Sequence, residues 1–181
     1  MMLTAIFILH LLAGFGHEAE RGFAKNEVPG FMGFRLGMKA SVALRHEGKN
    51  PKALDRIKPH LGQRVISDTV PVTACKLPMR RSLGFDSASM LTAVGLTYKT
   101  TPEHITDARD CAHQWLVAAY GAPTGEAMRD STKQEVWTLG PARITLEAKA
   151  YNARDYFVLM YYYYENSERG AELPKKSLKN K

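Results

Sequence analysis

Apolar and polar positions alternate most clearly in the second half of the chain. Ile105, Ala108, Ala112, Trp115, Leu116 and Ala119 recur at helical spacing, while Glu103, Asp107, Arg109, Asp110 and Gln114 fall largely elsewhere. Thr101-Pro102-Glu103 supplies a capping hydroxyl, a proline for the first helical position and an acid for the first turn, so a helix is expected to open there. Gly121 offers a left-handed stop and Pro123 prevents resumption. Strand patterns follow. Glu135 to Leu139 centres on Trp137, and Ile144, Leu146 and Ala148 alternate with Arg143, Thr145, Glu147 and Lys149. Asn152 to Asp155 reads as a turn. Tyr156 to Tyr164 is apolar or aromatic on both faces, the pattern of a central strand with tyrosine hydroxyls at a wet rim.

The first half is less sharply written. Phe31 to Leu36 predicts a short strand, Gly37-Met38 begins a helical stretch reaching about Arg45, and Pro51 to His60 predicts a second helix. Extended segments are expected at Arg64 to Val70, Val72 to Leu77 and about Ser87 to Lys99. Together these elements predict an α+β fold, an antiparallel sheet with helices packed on one face. A chain of 181 residues is long enough for one core and short for two.

Both ends differ from this middle. Met2 to Gly16 is an apolar run broken only by Thr4 and His10, and His17-Glu18-Ala19-Glu20 then turns polar. The run is too short for a comfortable membrane span of about twenty residues, and Gly14, Gly16 and Ala19 suit a signal peptidase. Residues 1–20 are therefore expected to be an export leader, the alternative being a buried first helix or strand of a cytoplasmic domain, with 21–166 a single domain and 167–181 a disordered basic tail. A periplasmic or secreted location follows, with no stable membrane span once the leader is removed. The net charge is +7, of which the tail supplies +3. The remaining excess is scattered, and no basic stripe interleaves with aromatics, so nucleic acid is not the expected partner.

Candidate chemistry is sparse. Cys75 and Cys111 show neither CxxC spacing nor a histidine pattern for zinc. In an oxidising compartment they are expected to form a disulfide, although two buried free thiols would also fit the sequence. The chain lacks HExxH, GxSxG, a P-loop and a Rossmann fingerprint. Cys111 and His113 are two apart on one helix and point away from each other, so they do not make a nucleophile and base. Asp107 and Asp110 share a face at i,i+3 spacing, which suits a solvated surface better than a cation site. No catalytic residue, metal or cofactor is expected. The aromatic residues Trp137, Tyr151, Tyr161, Tyr162, Tyr163 and Tyr164 are the candidate partner-binding set, since tyrosine and tryptophan dominate binding hot spots. Alternation sends about half of the tyrosine run to the core.

The succession of helix, Tyr120-Gly121-Ala122-Pro123, Val136-Trp137, then Ile144 and Leu146 resembles the helix-then-hairpin unit of the small outer-membrane-assembly lipoproteins of the SmpA/OmlA type. The Leu36-Gly37-Met38 start is similar to the Gly-Met helix opening of such units. No lipobox cysteine is present. Two tandem units would resemble the β-lactamase inhibitor protein type, in which helices pack behind a sheet whose open face grips a partner. The resemblance implies two tandem helix-plus-hairpin units and an exported, non-catalytic protein-binding module, such as an inhibitor or immunity protein against a secreted enzyme or toxin, or an envelope-assembly accessory. The alternatives are an enzyme with dispersed catalytic residues and a small-ligand carrier.

Overall fold

The computed structural model describes residues 30–59, 63–68 and 72–164; the expected leader, the expected tail and His60 lie outside them. Among the described residues two α-helices, α1 (Ala40–His46) and α2 (Ile105–Tyr120), and a short 3-10 helix (Pro51–Arg56) accompany eight strands. The strands are β1 (Arg64–Ser67), β2 (Val72–Ala74), β3 (Leu77–Phe85), β4 (Leu91–Thr100), β5 (Gly125–Arg129), β6 (Thr132–Leu139), β7 (Ala142–Ala150) and β8 (Tyr156–Tyr164). They form one antiparallel sheet in the order β1-β3-β4-β8-β7-β6-β5, with β2 paired to β3. The fold is therefore α+β, and β8 lies at the centre as its two-sided apolar pattern requires. Among the described residues no helix is long and apolar enough to cross a membrane.

Alternation along the strands defines two faces. Leu83 and Phe85 of β3, Val94 and Leu96 of β4, Val158, Met160 and Tyr162 of β8, Ile144 and Leu146 of β7 and Trp137 of β6 point to the inner face, where the helices lie. Ala40, Ala43 and Leu44 of α1, and Ala108, Ala112 and Leu116 of α2, close this core from above. The segment before α1 seals its end. Phe31 and Phe34 bridge each other across a tight turn and are wholly buried, Phe31 stacking 5.5 Å from Tyr162 and meeting Trp115 edge-on at 6.0 Å. Tyr120 donates to the Gly30 carbonyl at 2.8 Å, pinning the segment to α2.

One charged group is enclosed on this side. Arg81 of β3 takes an inner position, and its guanidinium lies between the carboxylates of Asp68 and Glu47 and over the Phe34 ring, 5.1 Å from the centroid. Lys49 completes the network on Asp68. Burial lowers the Arg81 pKa from its ordinary value. A buried cation with two carboxylate partners fixes the end of α1 against β1 and β3, because removing any member would leave an uncompensated charge.

Several expectations need correction. Phe31 to Leu36 is a bridged turn, since Met32 and Gly33 adopt positive φ angles of 53° and 82° that no strand sustains. The second helix is a 3-10 helix ending at Arg56, with Asn50 capping the Lys52 amide. α2 opens at Ile105. Thr101 to His104 form a turn, closed by the His104 amide on the Thr101 carbonyl at 3.2 Å, so Pro102 precedes the helix. Its other end is as expected, with Gly121 at φ 81° and its amide donating to the Val117 carbonyl. The strand β3 falls where the sequence reading left a gap, because Pro78, Arg80, Arg81 and Gly84 break the apolar alternation.

Candidate functional site

The outer face of the sheet carries a different set of side chains, and the strand registers place them in rows. One row runs Ala93, Tyr163, Arg143 and Thr138; the next Gly95, Tyr161, Thr145 and Val136; the next Thr97, Leu159, Glu147 and Gln134; the last Lys99, Phe157 and Lys149. Strands lie about 4.8 Å apart, so neighbours in a row touch. Phe157, Leu159, Tyr161 and Tyr163 thus form an aromatic and apolar column down the centre, on the strand buried most deeply in the sheet. Arg143 and Lys149 flank it on β7, Lys99 on β4 and Arg80 on β3. Among the described residues no helix lies on this face.

The column is held from both sides. A β-carbon on Gly95 would stand 2.7 Å from Ser82 Oγ and 3.3 Å from the Tyr161 ring, so the glycine makes room for that ring to lie against the β4 backbone. At the opposite end Tyr151, 52% exposed in the β7–β8 turn, meets Phe157 edge-on at 5.9 Å. Asn152 builds this turn by accepting from the Arg154 and Asp155 amides, and Lys99 pairs with Asp155 at 2.7 Å. The Asp155 carboxyl is held below its usual range by its hydrogen bonds with Lys99 and Asn152.

Beneath the column's edge lies a polar group. Glu147 is only 1% exposed although it points outward, enclosed with Gln134 and Thr145. Gln134 Nε2 donates to Glu147 Oε2; Oε1 faces the Lys149 ammonium at 2.9 Å but makes no hydrogen bond of good geometry among the described residues. Burial pushes the Tyr161 phenol up to about 12, the Glu147 charge adds to the rise, and Arg129 opposes it. Arg129, from β5 at the sheet edge, therefore contributes its field to the same cluster.

The candidate aromatic residues divide accordingly. Tyr161 and Tyr163 are on the outer face, and Tyr151 sits at its end. Tyr162 is wholly buried on the inner face and Tyr164 packs against the same core. Trp137 is also wholly buried, its indole Nε1 donating to the Gly121 carbonyl at 2.8 Å. Trp137 and Tyr162 thus leave the binding set: their strand positions share a face with Leu146 and Met160, which the helices cover. Phe157, Arg80, Lys99, Arg129, Gln134, Arg143, Glu147 and Lys149 join it. For Arg143, Glu147 and Lys149 the signal was the polar half of the alternation on β7, opposite Ile144, Leu146 and Ala148.

Two other clusters lie on the helix side. Cys75 and Cys111 come within 3.3 Å of each other, and no bond joins them. The Cys111 thiol donates to the Cys75 carbonyl. Burial, and then the hydrogen bond with Cys111, push the Cys75 thiol up to about 12. His113 stands beside Glu135, Nδ1 to Oε2 at 2.5 Å, with Arg109 on the other oxygen. The histidine therefore has a carboxylate for a partner and turns away from Cys111. Among the described residues no group of three or more His, Cys, Asp or Glu side chains is placed to hold a metal ion.

Comparison with known proteins gives no matching family model, and no curated protein or solved structure matches the chain significantly.

Proposed function

We propose that the protein is an exported, non-catalytic binding module that grips another protein with the outer face of its sheet, as an inhibitor, an immunity protein or an envelope-assembly accessory would. The observation that carries this reading is the column of Phe157, Leu159, Tyr161 and Tyr163 on the face away from the helices. Leu159 is itself buried, so the contact area would come from the half-buried rings of Phe157, Tyr161 and Tyr163, rigid side chains that offer it at small conformational cost, as hot-spot residues do. The strand order supports a tandem organisation. In each half a helix precedes an antiparallel run, and the last strands of the halves, β4 and β8, pair at the centre. Such an arrangement is similar to the β-lactamase inhibitor protein type, where a shared sheet offers one broad gripping face.

Export also gives the cysteines a role. In an oxidising compartment, thiol–disulfide exchange with an oxidised dithiol carrier would join Cys75 to Cys111, passing two protons and two electrons to the carrier. The bond would tie the β2–β3 turn to α2. The enzymatic alternative would need a group that exchanges protons near neutral pH. Tyr161 keeps its proton to about 12, which disfavours it in that role.

The test is a photo-crosslinker at position 163 of the full chain, expressed in its own host. Crosslinks that disappear when Tyr161 is also changed to Ala, while the protein stays folded, support the reading. Crosslinking that is absent from position 163 but present from α2 overturns it.

A further inference from the structure

The helix side of the molecule carries a surface that protein binding by the sheet leaves unused. Arg35, Lys39, Arg45, Lys52, Arg56 and Lys58 are all exposed there, and Asp55 is the one exposed carboxylate between residues 35 and 59. None of these cations has a carboxylate partner among the described residues. The nearby acids are engaged: Glu47 lies between His46 and the buried Arg81, and Asp86, in the turn beside the start of α1, accepts from the Met90 amide at 2.9 Å. Elsewhere Lys99, Arg109, Lys133 and Lys149 are each paired with a carboxylate. We infer that the surface of α1 and the 3-10 helix docks the protein on an anionic phospholipid bilayer. Such docking is separate from protein binding by the sheet and stands whether or not that occurs.

α1 turns Ala40, Ala43 and Leu44 inward. At about 100° per residue, Val42 and Arg45 then stand at the middle of its outer side. Val42 is 45% exposed, with Lys39 and Arg45 three residues to either side of it. The Lys49 amide closes on the Leu44 carbonyl and Asn50 caps the Lys52 amide, so the 3-10 helix follows at once, packing against α1 with Leu54 buried. Each Lys or Arg held near an anionic bilayer raises affinity about fivefold. Their long stems let the charged heads reach headgroups while a small apolar side chain meets the interface. α1 and the outer sheet face lie on opposite sides of the sheet, so a docked molecule keeps Tyr161 and Tyr163 turned away from the lipid.

A nucleic acid or an acidic protein would also be drawn to this charge. Single strands stack their bases on rings, yet Phe31 and Phe34 are wholly buried and residues 35–58 contain no Phe, Tyr or Trp. A protein interface is centred on a large anchor in a pocket, whereas these cations are spread over two short helices and their flanking turns around one valine. A fluid bilayer surface requires neither ring nor anchor.

The protein as purified from its own host is titrated with vesicles of phosphatidylcholine alone and of phosphatidylcholine with phosphatidylglycerol. The expected result is binding to the anionic vesicles only, released by added salt. Lys52→Glu with Arg56→Glu should weaken it at least about tenfold. Arg80→Glu with Lys133→Glu, an equal charge change away from this surface, should weaken it less than about threefold, because the Debye length is only about 8 Å at physiological salt. Emission from Val42→Trp should shift to the blue on anionic vesicles, with the bound parent as the reference for Trp115 and Trp137. Equal binding to both kinds of vesicle, equal losses from both pairs, or a Val42→Trp spectrum unchanged in the bound protein would each overturn the inference. So would a short DNA duplex or a poly-glutamate peptide that binds more tightly than the anionic vesicles and is lost with Lys52→Glu and Arg56→Glu.

Discussion

Arg81 and Glu147 are both buried charges in one sheet, three strands apart and on opposite faces, and their surroundings differ in kind. Arg81 is matched by two carboxylates under the helices, with an aromatic ring beneath its guanidinium. Glu147 has a neutral amide on one oxygen and, near the other, an ammonium that is partly exposed and poorly aligned. The inner charge is fully compensated and serves the fold. The outer one is compensated in part and lies among aromatic and cationic groups that face outward. A closed network reads as architecture, whereas the half-closed one lies beside the half-buried rings where the proposed recognition would take place.

The largest effect expected from breaking this comparison is at Arg81. Arg81→Ala would take the buried cation from between Asp68 and Glu47 and leave only the partly exposed Lys49 on Asp68, at a cost of about 3–5 kcal/mol in a urea unfolding experiment. Adding Asp68→Asn and Glu47→Gln should restore part of that loss, because neutral amides do not repel. A single variant as stable as the parent would show that the inner network is not structural.

Much of this contrast could be read from the chain beforehand, and the limits are physical. β8 and the apolar face of α2 were legible because long runs with one period leave little freedom. β3 was hidden because an inward Arg81 and an outward Gly84 break its alternation, each meeting a partner, Asp68 or Ala93, that only the fold brings close. β5 was hidden because an edge strand reading Gly-Glu-Ala-Met-Arg buries almost nothing. Alternation separated Tyr161 and Tyr163 from Tyr162 and Tyr164, but which pair met the helices depended on α2 and Phe31. Trp137 looked like surface for the same reason: its burial is set by the Gly121 carbonyl and the helix above it.

A slightly smaller effect is expected at the cysteines, which lie on the helix side. A bond between Cys75 and Cys111 should raise stability by about 3–4 kcal/mol over the reduced protein, from the loop it closes. Thiol titration of denatured, non-reduced protein from the native host should find no free thiol. The reduced protein adds a pH test. The folded Cys75 pKa lies above the ordinary 9.0, so unfolding releases its proton between pH 9 and about 12. The stability from this group is whole below pH 9 and falls as pH rises through that window. Oxidised protein has no such thiol, and its stability should be flatter there.

The tyrosines sharpen the comparison on a single strand. Tyr162→Ala removes a wholly buried ring stacked on Phe31 and should cost about 3 kcal/mol or more of stability. Tyr163→Ala, on the other face, should cost less than about 1 kcal/mol of stability and more than about 1 kcal/mol of partner affinity. Paired urea melts and titrations of the crosslinked partner separate the two effects. Equal stability losses at both positions would mean that the outer column is merely a second core.

The smallest expected effect tests the outer cluster most directly. Glu147→Gln keeps a side chain of the same shape beside Gln134 and removes the charge. Stability should change by less than about 1 kcal/mol, since desolvating a carboxylate costs about what its imperfect ion pair returns. The phenol of Tyr161 should respond more clearly. Burial is the main reason it is pushed up to about 12, and the neighbouring Glu147 charge adds to the rise. With that charge gone, only burial still opposes ionisation while Arg129 continues to favour it, so the phenol should titrate lower, though still above an ordinary tyrosine. Ultraviolet titration of the parent, Glu147→Gln and Tyr161→Phe proteins assigns the transition. No movement in Glu147→Gln, with the Tyr161 transition identified by its loss in Tyr161→Phe, would show that the two groups do not share one field. The outer face would then hold its charge and its aromatic column as independent features.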